Sequence, residues 1–168
     1  MRVAVTGTPG TGKTTATERL GTDLDVYHLN EIIKDEGFST GIDEDRGSLV
    51  ADLDSVADWL DGREDVLFES HLAHHFDADH VVVLRAHPET VVERLRERGD
   101  DDSKAYENAE SEALDVILSE AVEEHGVESV YEITTTNRSP EDVASEIQAV
   151  VDGEREPAAG TVSYIDWL

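Results

Sequence analysis

A glycine-rich segment near the start of the chain has the residue types and spacing of a phosphate-binding loop. Residues 7–14 read GTPGTGKT, fit G-x-x-x-x-G-K-[ST], and follow a short apolar run at 2–6. Glycines let backbone N–H groups turn inward around an anion, and the next helix adds the positive end of its dipole. We expect Lys13 to reach the β- and γ-phosphates of a nucleotide, Thr14 to bind Mg²⁺ and Thr15 to contact the α-phosphate.

A carboxylate and an imidazole follow a second apolar run, 66–68. Because a phosphate loop needs an acid at the end of a neighbouring strand, Glu69 is predicted to hold Mg²⁺ through water or to orient an attacking water. His71 lies two residues further on and could reach the same phosphates. The simpler interpretations are an ordinary strand-end acid for Glu69 and an ordinary polar loop residue for His71.

Three histidines close together raise the question of a zinc site. His71, His74 and His75 have a spacing that would suit one face of a helix, and three imidazoles can bind zinc. Asp77 is the one further ligand nearby in the sequence, and no other motif supports zinc. The sequence therefore favours a histidine-rich loop, and the predicted metal ligands remain Thr14 and Glu69, for Mg²⁺.

Hydrophobic periodicity indicates strands alternating with helices along the whole chain. This alternation predicts a three-layer α/β fold, in which helices cover both faces of a five-stranded parallel sheet. The predicted strands are 2–6, 26–29, 66–68, 81–84 and 130–133, and the predicted helices are 13–22, 31–36, 48–60, 88–99, 104–125 and 140–151. A polar, glycine-rich loop is expected at 37–47, and a tail at 153–168 is expected to dock on the body or to bind a partner.

Length and composition fit one compact, cytoplasmic domain. The chain has 168 residues and is 38% hydrophobic, which is enough for a substantial core. It has no cysteine, which excludes disulfides and thiolate chemistry. No apolar run approaches the ~20 residues of a membrane helix. We therefore expect no membrane partner.

The net charge of −27 is the extreme feature of the composition. It disfavours broad binding to nucleic-acid backbones. The acids are dispersed, which indicates adaptation to a high-salt cytoplasm, although an acidic surface for a basic partner is also compatible. The few cations should gather where phosphates bind, and the candidates are Lys13, Arg46, Arg94 and Arg98.

Several segments together resemble a known family. They are GTPGTGKTT at 7–15, DEDR at 43–46 followed by a helix, the Glu69-x-His71 pair, and the stretch 94–110. The chain resembles the adenylate-kinase-related NMP kinase and ATPase family of archaea and eukaryotic nuclei, the coilin-interacting nuclear ATPase type. The resemblance covers roughly residues 1–151.

The resemblance implies a P-loop NMP-kinase-like fold in one domain, 1–152, followed by the tail. A small NMP lobe would span about 28–51 and a short lid about 98–108. Arg98 would lie near the ATP phosphates, and Arg46 would hold the acceptor NMP unless it pairs with Asp43 or Asp45. The residues implied to bind ATP are Gly10, Gly12, Lys13, Thr14 and Thr15.

The activity implied by the resemblance is ATP + AMP giving two ADP, with broad NMP specificity, Mg²⁺ as cofactor and a slow ATPase. It also implies a role in late small-subunit and 16S rRNA maturation, through transient binding of a small-subunit ribosomal protein. The alternative is a P-loop kinase of another small metabolite. A GTPase is disfavoured because the guanine-reading N-K-x-D motif is absent.

Overall fold

The computed structural model describes residues 1–43 and 48–168 and has the predicted three-layer architecture. Five parallel strands form one sheet in the order β2-β5-β1-β6-β7, and β3 and β4 form a separate antiparallel hairpin. The strands are β1 (Arg2–Thr6), β2 (Asp25–His28), β3 (Ser39–Asp43), β4 (Ser48–Ala51), β5 (Val66–Glu69), β6 (His80–Arg85) and β7 (Val130–Thr134). The helices are α1 (Lys13–Thr17), α2 (Leu29–Glu36), α3 (Leu53–Leu60), α4 (Pro88–Arg98), α5 (Asp102–Ala113), α6 (Val116–His125) and α7 (Pro140–Val151).

The sheet is apolar on both faces because helices cover both of them. Successive side chains of a strand point to opposite faces, so Ala4 packs in one core cluster while Val3 and Val5 pack in the other. Helices α2, α3 and α6 supply the first cluster, and α1 and α7 supply the second. The parallel strands bring all their carboxyl ends to one edge of the sheet, where an α/β fold places its ligands.

The segment 48–60, predicted as one helix, is a strand followed by a helix. Ser48–Ala51 forms β4, paired with β3, and Asp52 then caps α3 by accepting a hydrogen bond from the Ser55 N–H. Leu49 satisfies the helical spacing of the sequence, but it is 45% exposed on the hairpin. Within the predicted loop 37–47, residues Ser39–Asp43 form the strand β3.

The predicted long helix 104–125 is two helices. Arg85 Nη2 donates to the carbonyl of Glu112 at 3.1 Å and to Asp115 Oδ1 at 2.5 Å. In a continuous helix that carbonyl would accept from the N–H four residues later. Asp115 has φ 56°, in the left-handed region. A buried arginine on β6 therefore ends α5 and fixes the start of α6.

The tail packs on the body of the molecule. Ala158 exchanges backbone hydrogen bonds with Val130 and Glu132 beside β7, and the Thr161 N–H and hydroxyl both donate to Glu132 Oε1. Further on, Trp167 stacks on Tyr106 of α5 with 6.3 Å between ring centroids. No helix among the described residues has the length and apolarity to cross a membrane.

Candidate active site

A cavity of about 1110 Å³ opens at the carboxyl edge of the sheet. The phosphate loop between β1 and α1 forms one wall, and the segment that follows β5 forms another. The candidates that line it are Gly10, Gly12, Lys13, Thr14, Thr15, Glu69, His71, Arg94 and Arg98. The predicted site residues within the described part of the chain therefore gather around one cavity.

The glycines of the phosphate loop are required by its geometry. Gly10 and Gly12 have φ near 90°, where L side chains are strained. At Gly7, a Cβ would lie 2.6 Å from the Leu84 carbonyl oxygen on β6. The loop can therefore turn tightly across the ends of β1 and β6.

Lys13 is held inside the loop. Its ammonium donates to the carbonyls of Gly7 at 2.9 Å and Thr8 at 3.2 Å. Burial lowers the pKa of Lys13 to about 8, although nearby Glu69 and Glu112 act in the opposite direction. A phosphate would give this ammonium a charged acceptor in place of two neutral carbonyls, which is favourable in a buried setting.

The two predicted magnesium ligands are in direct contact. The Thr14 hydroxyl donates to Glu69 Oε1 at 2.9 Å, and the Glu69 side chain is 5% exposed. A hydroxyl and a carboxylate are the hard oxygen donors that Mg²⁺ prefers, so the pair fits this ion.

His28 is a site residue that sequence reasoning missed. Its Nδ1 lies 2.7 Å from the same Glu69 oxygen, from the end of β2 beside β5. The sequence could have indicated this contact, because His28 falls within the predicted strand 26–29. The carboxyl end of that strand lies at the same edge of the sheet as Glu69.

His71 lies in the cavity wall in its neutral form. Burial, together with the charge of Lys13, lowers the pKa of His71 to about 4. At neutral pH its ring can donate one hydrogen bond and accept another, and it adds no charge to the site.

The remaining predicted site residues are in different situations. Arg98, at the end of α4, is 56% exposed and donates to Asp100 at 2.6 Å, and Thr15 is exposed in the cavity. Arg46 lies outside the described residues. Roles in phosphate or acceptor binding remain predictions for all three.

Arg94 holds the loop itself. Its guanidinium donates to the Gly10 carbonyl at 3.2 Å and to the Thr135 hydroxyl at 3.1 Å, and that hydroxyl also contacts the Thr11 carbonyl. Arg94 therefore positions the loop, and because it also lines the cavity, its role as a phosphate cation stays a prediction.

The buried carboxylate of Glu112, on α5, is hydrogen-bonded to the phosphate loop. Glu112 accepts from the Thr8 hydroxyl at 3.2 Å, from Arg85 Nε at 3.1 Å and from the Ala86 N–H at 2.8 Å. Burial raises the pKa of Glu112, and the charge of Arg85 opposes that shift. The loop is thus braced by residues more than eighty positions away in the sequence.

A family model described as AAA domain matches residues 3–115. A Natronomonas pharaonis protein is 66% identical over 168 residues and covers the whole of both chains, and a Halobacterium salinarum protein is 64% identical over 169 residues, also covering both. A Pyrococcus furiosus protein is 40% identical over 99% of this chain and 91% of its own. All three are named "Putative adenylate kinase". The chain belongs to this adenylate-kinase-related AAA-domain family.

Solved structures show the same fold at low identity. Shikimate kinase from Bacteroides thetaiotaomicron matches with a TM-score of 0.53 and 18% identity, over 90% of this chain and 98% of that one. The tunicamycin resistance protein of Deinococcus radiodurans matches at 0.50 and 17%, over 94% and 98%. These neighbours establish the three-layer P-loop fold of the family member described here.

Proposed function

We propose that this protein is a cytoplasmic nucleoside monophosphate kinase that transfers the γ-phosphoryl group of ATP to AMP and hydrolyses ATP slowly. The observation that carries the proposal is the contact of Thr14 with Glu69 beside the buried Lys13 in one large cavity. A cavity of about 1110 Å³ is slightly larger than the usual range for small-ligand sites, and so has room for a second nucleotide. The names of the relatives point to the same reaction.

The residues at the cavity would act by position and charge. An oxygen of the AMP phosphate attacks the γ-phosphorus, the bond to the β–γ bridging oxygen breaks, and ADP leaves with the bond electrons. Lys13 would stabilise negative charge on the transferred group, and His71 would contribute a neutral hydrogen bond near it. Thr14 and Glu69 would hold Mg²⁺, which would supply further neutralisation of the phosphate charge. Gly10, Gly12 and Thr15 would bind ATP through the loop.

We assign the two movable parts of the kinase to segments that flank the cavity. Residues 28–51 would form the NMP lobe, with Arg46 on the acceptor phosphate, and residues 98–108 would form the lid, with Arg98 on the ATP phosphates. Asn30 and Leu49 from the first segment and Lys104 and Asn108 from the second line the cavity. Closure of both would exclude water and favour transfer over hydrolysis.

Product analysis tests the proposal. ATP and Mg²⁺ are incubated in high salt with AMP, CMP, UMP, GMP or shikimate, or with no acceptor. We expect ADP to form fastest with AMP, at two ADP for each ATP consumed. Equal formation of ADP and phosphate with no acceptor would instead make the protein an ATPase. Turnover with shikimate and none with NMPs would support the alternative of a small-metabolite kinase, whose fold is shared.

The role in small-subunit maturation is a separate part of the proposal, and it follows the coilin-interacting nuclear ATPase branch of the resemblance. The net charge of −27 supports it, since an acidic surface suits a basic ribosomal protein. A small-subunit ribosomal protein should co-purify in an ATP-sensitive manner and stimulate ATP hydrolysis. If no ribosomal protein binds at any salt concentration tested, with or without ATP, this role is excluded and the proposed kinase activity is unaffected.

A further inference from the structure

Two imidazoles and a carboxylate meet on a wall of the cavity. His74 Nε2 lies 3.0 Å from Glu120 Oε2, and His75 Nε2 lies 3.5 Å from the same oxygen. The three ligand atoms all lie within 4.8 Å of one another. A tetrahedral metal site with bonds of about 2.0 Å has ligand atoms about 3.3 Å apart. The observed separations to Glu120 are therefore close to those of a tetrahedral site.

The other nitrogen of each ring is already occupied. His74 Nδ1 lies 2.7 Å from the Thr6 hydroxyl, and His75 Nδ1 lies 2.8 Å from Glu124 Oε1. Metal-binding histidines usually hydrogen-bond through the second nitrogen in this way, which fixes the ring and the tautomer. Both rings are thus oriented with Nε2 towards Glu120.

Carboxylates of α6 lie beside both nitrogens of the His75 ring. Nδ1 lies 2.8 Å from Glu124 Oε1, and Nε2 lies 3.5 Å from Glu120 Oε2. A divalent ion between His74, His75 and Glu120 would offset the charge of these carboxylates and coordinate both rings.

We propose that His74, His75 and Glu120 form a site for a divalent transition-metal ion, and we expect zinc. Two imidazole nitrogens and one carboxylate oxygen are a zinc ligand set with a fourth position open to water. His74 is buried, whereas His75 and Glu120 are 24% and 38% exposed and line the cavity, so an ion can enter. The sequence suggested Asp77 as a further zinc ligand, whereas in the structure the carboxylate beside the two histidines is that of Glu120, on α6.

The ion would tie two elements together. His74 and His75 belong to the short helical turn after β5, and Glu120 belongs to α6. Glu69, at the end of β5, and His71 precede this turn by only a few residues, so the ion would fix the part of the wall next to them. The site would differ in selectivity from the Thr14–Glu69 pair, because imidazole nitrogens suit zinc and hard oxygens suit Mg²⁺.

Calorimetric titration tests the site directly. The full-length protein is treated with a chelator, exchanged into high salt with excess Mg²⁺, and titrated with Zn²⁺ in the absence of nucleotide. We expect one equivalent to bind and Tm to rise. Glu120→Gln and His75→Asn should each weaken zinc binding by at least about tenfold. Glu123→Gln changes the same charge at an exposed position of α6 and should leave the Kd unchanged.

Two further measurements test the zinc site even if the Glu120 and His75 variants do not fold. Co²⁺ bound to the unaltered protein should give the strong visible absorption of tetrahedral nitrogen and oxygen coordination; no uptake of Co²⁺ or Zn²⁺ would overturn the site. His28→Asn should bind zinc normally, because His28 contacts Glu69 and is not one of the three proposed zinc ligands. Loss of binding in that variant, with unchanged affinity in Glu120→Gln, would place the ion at Glu69 instead.

Discussion

Lys13 shows how much of the proposed chemistry depends on one buried ammonium. Lys13→Ala removes the cation that would face the transferred phosphoryl group, and no other lysine belongs to the loop. We expect kcat for both AMP phosphorylation and ATP hydrolysis to fall by about 100-fold or more. Coupled assays of ADP and phosphate release measure both rates, and circular dichroism confirms that the variant is folded. Retained turnover would contradict the assignment of the site.

His71 predicts a pH dependence of stability. Its pKa is lowered from 6.5 to about 4 in the folded protein, so between these values the unfolded chain binds a proton that the folded chain does not. The free energy of unfolding should therefore fall as pH drops from 6.5 towards 4, by about 3 kcal/mol at most from this group.

Urea titrations at several pH values measure this dependence. His71→Asn should have a flatter decline than the unaltered protein over that window, because it removes the titrating group. Parallel declines would show that His71 ionises normally in the folded state.

Residues of the site differ in how far the sequence could predict them. Lys13, Thr14 and Glu69 were predictable because a motif or a strand end fixes their place in space. Glu112 was not, because its contact with Thr8 depends on how α5 crosses the sheet. The contact of Arg94 with the Gly10 carbonyl was not predictable either, since charge alone does not distinguish a phosphate from a loop carbonyl.

Among the elements, the departures from prediction have causes that local patterns of apolar residues do not show. The five strands and the last helix follow local patterns of apolar residues, which is why they were predictable. The break between α5 and α6 depends on Arg85, far away in the sequence, whose guanidinium binds the Glu112 carbonyl and Asp115. The hairpin β3–β4 pairs Ile42 with Leu49, and both are exposed, so no periodic burial marks it.

The tail supports α5 through one aromatic contact. Trp167 packs against the cluster that contains Ala105 and Ala109 and stacks on Tyr106. Trp167→Ala should lower the free energy of unfolding by about 1–2 kcal/mol, less than a fully buried tryptophan would. Ile165→Ala, in the same tail but 52% exposed, is the matched control and should change it little. Equal effects of the two changes in urea denaturation would argue against a specific contact.

At the scale of the whole molecule, the net charge of −27 should govern stability. The Debye length falls to about 3 Å near 1 M salt, so repulsion among surface carboxylates is then largely screened. We expect Tm to rise by at least about 5 °C from dilute buffer to molar KCl, corresponding to about 2 kcal/mol. Thermal melts across a KCl series at fixed pH measure this. A Tm that does not change would mean that the carboxylates lie too far apart to repel.

The two tryptophans of the chain stand in different surroundings, one on α3 and the other in the tail. Trp59 on α3 meets Tyr27 edge-to-face at 5.0 Å and has the Arg63 guanidinium 3.9 Å from its ring centroid, whereas Trp167 stacks on Tyr106 of α5. The molecule therefore carries two intrinsic fluorophores. Trp59→Phe leaves an optical reporter in the tail, beside α5, and Trp167→Phe leaves one on α3. Movements near α3 and near α5 can then be timed separately, without attaching a dye.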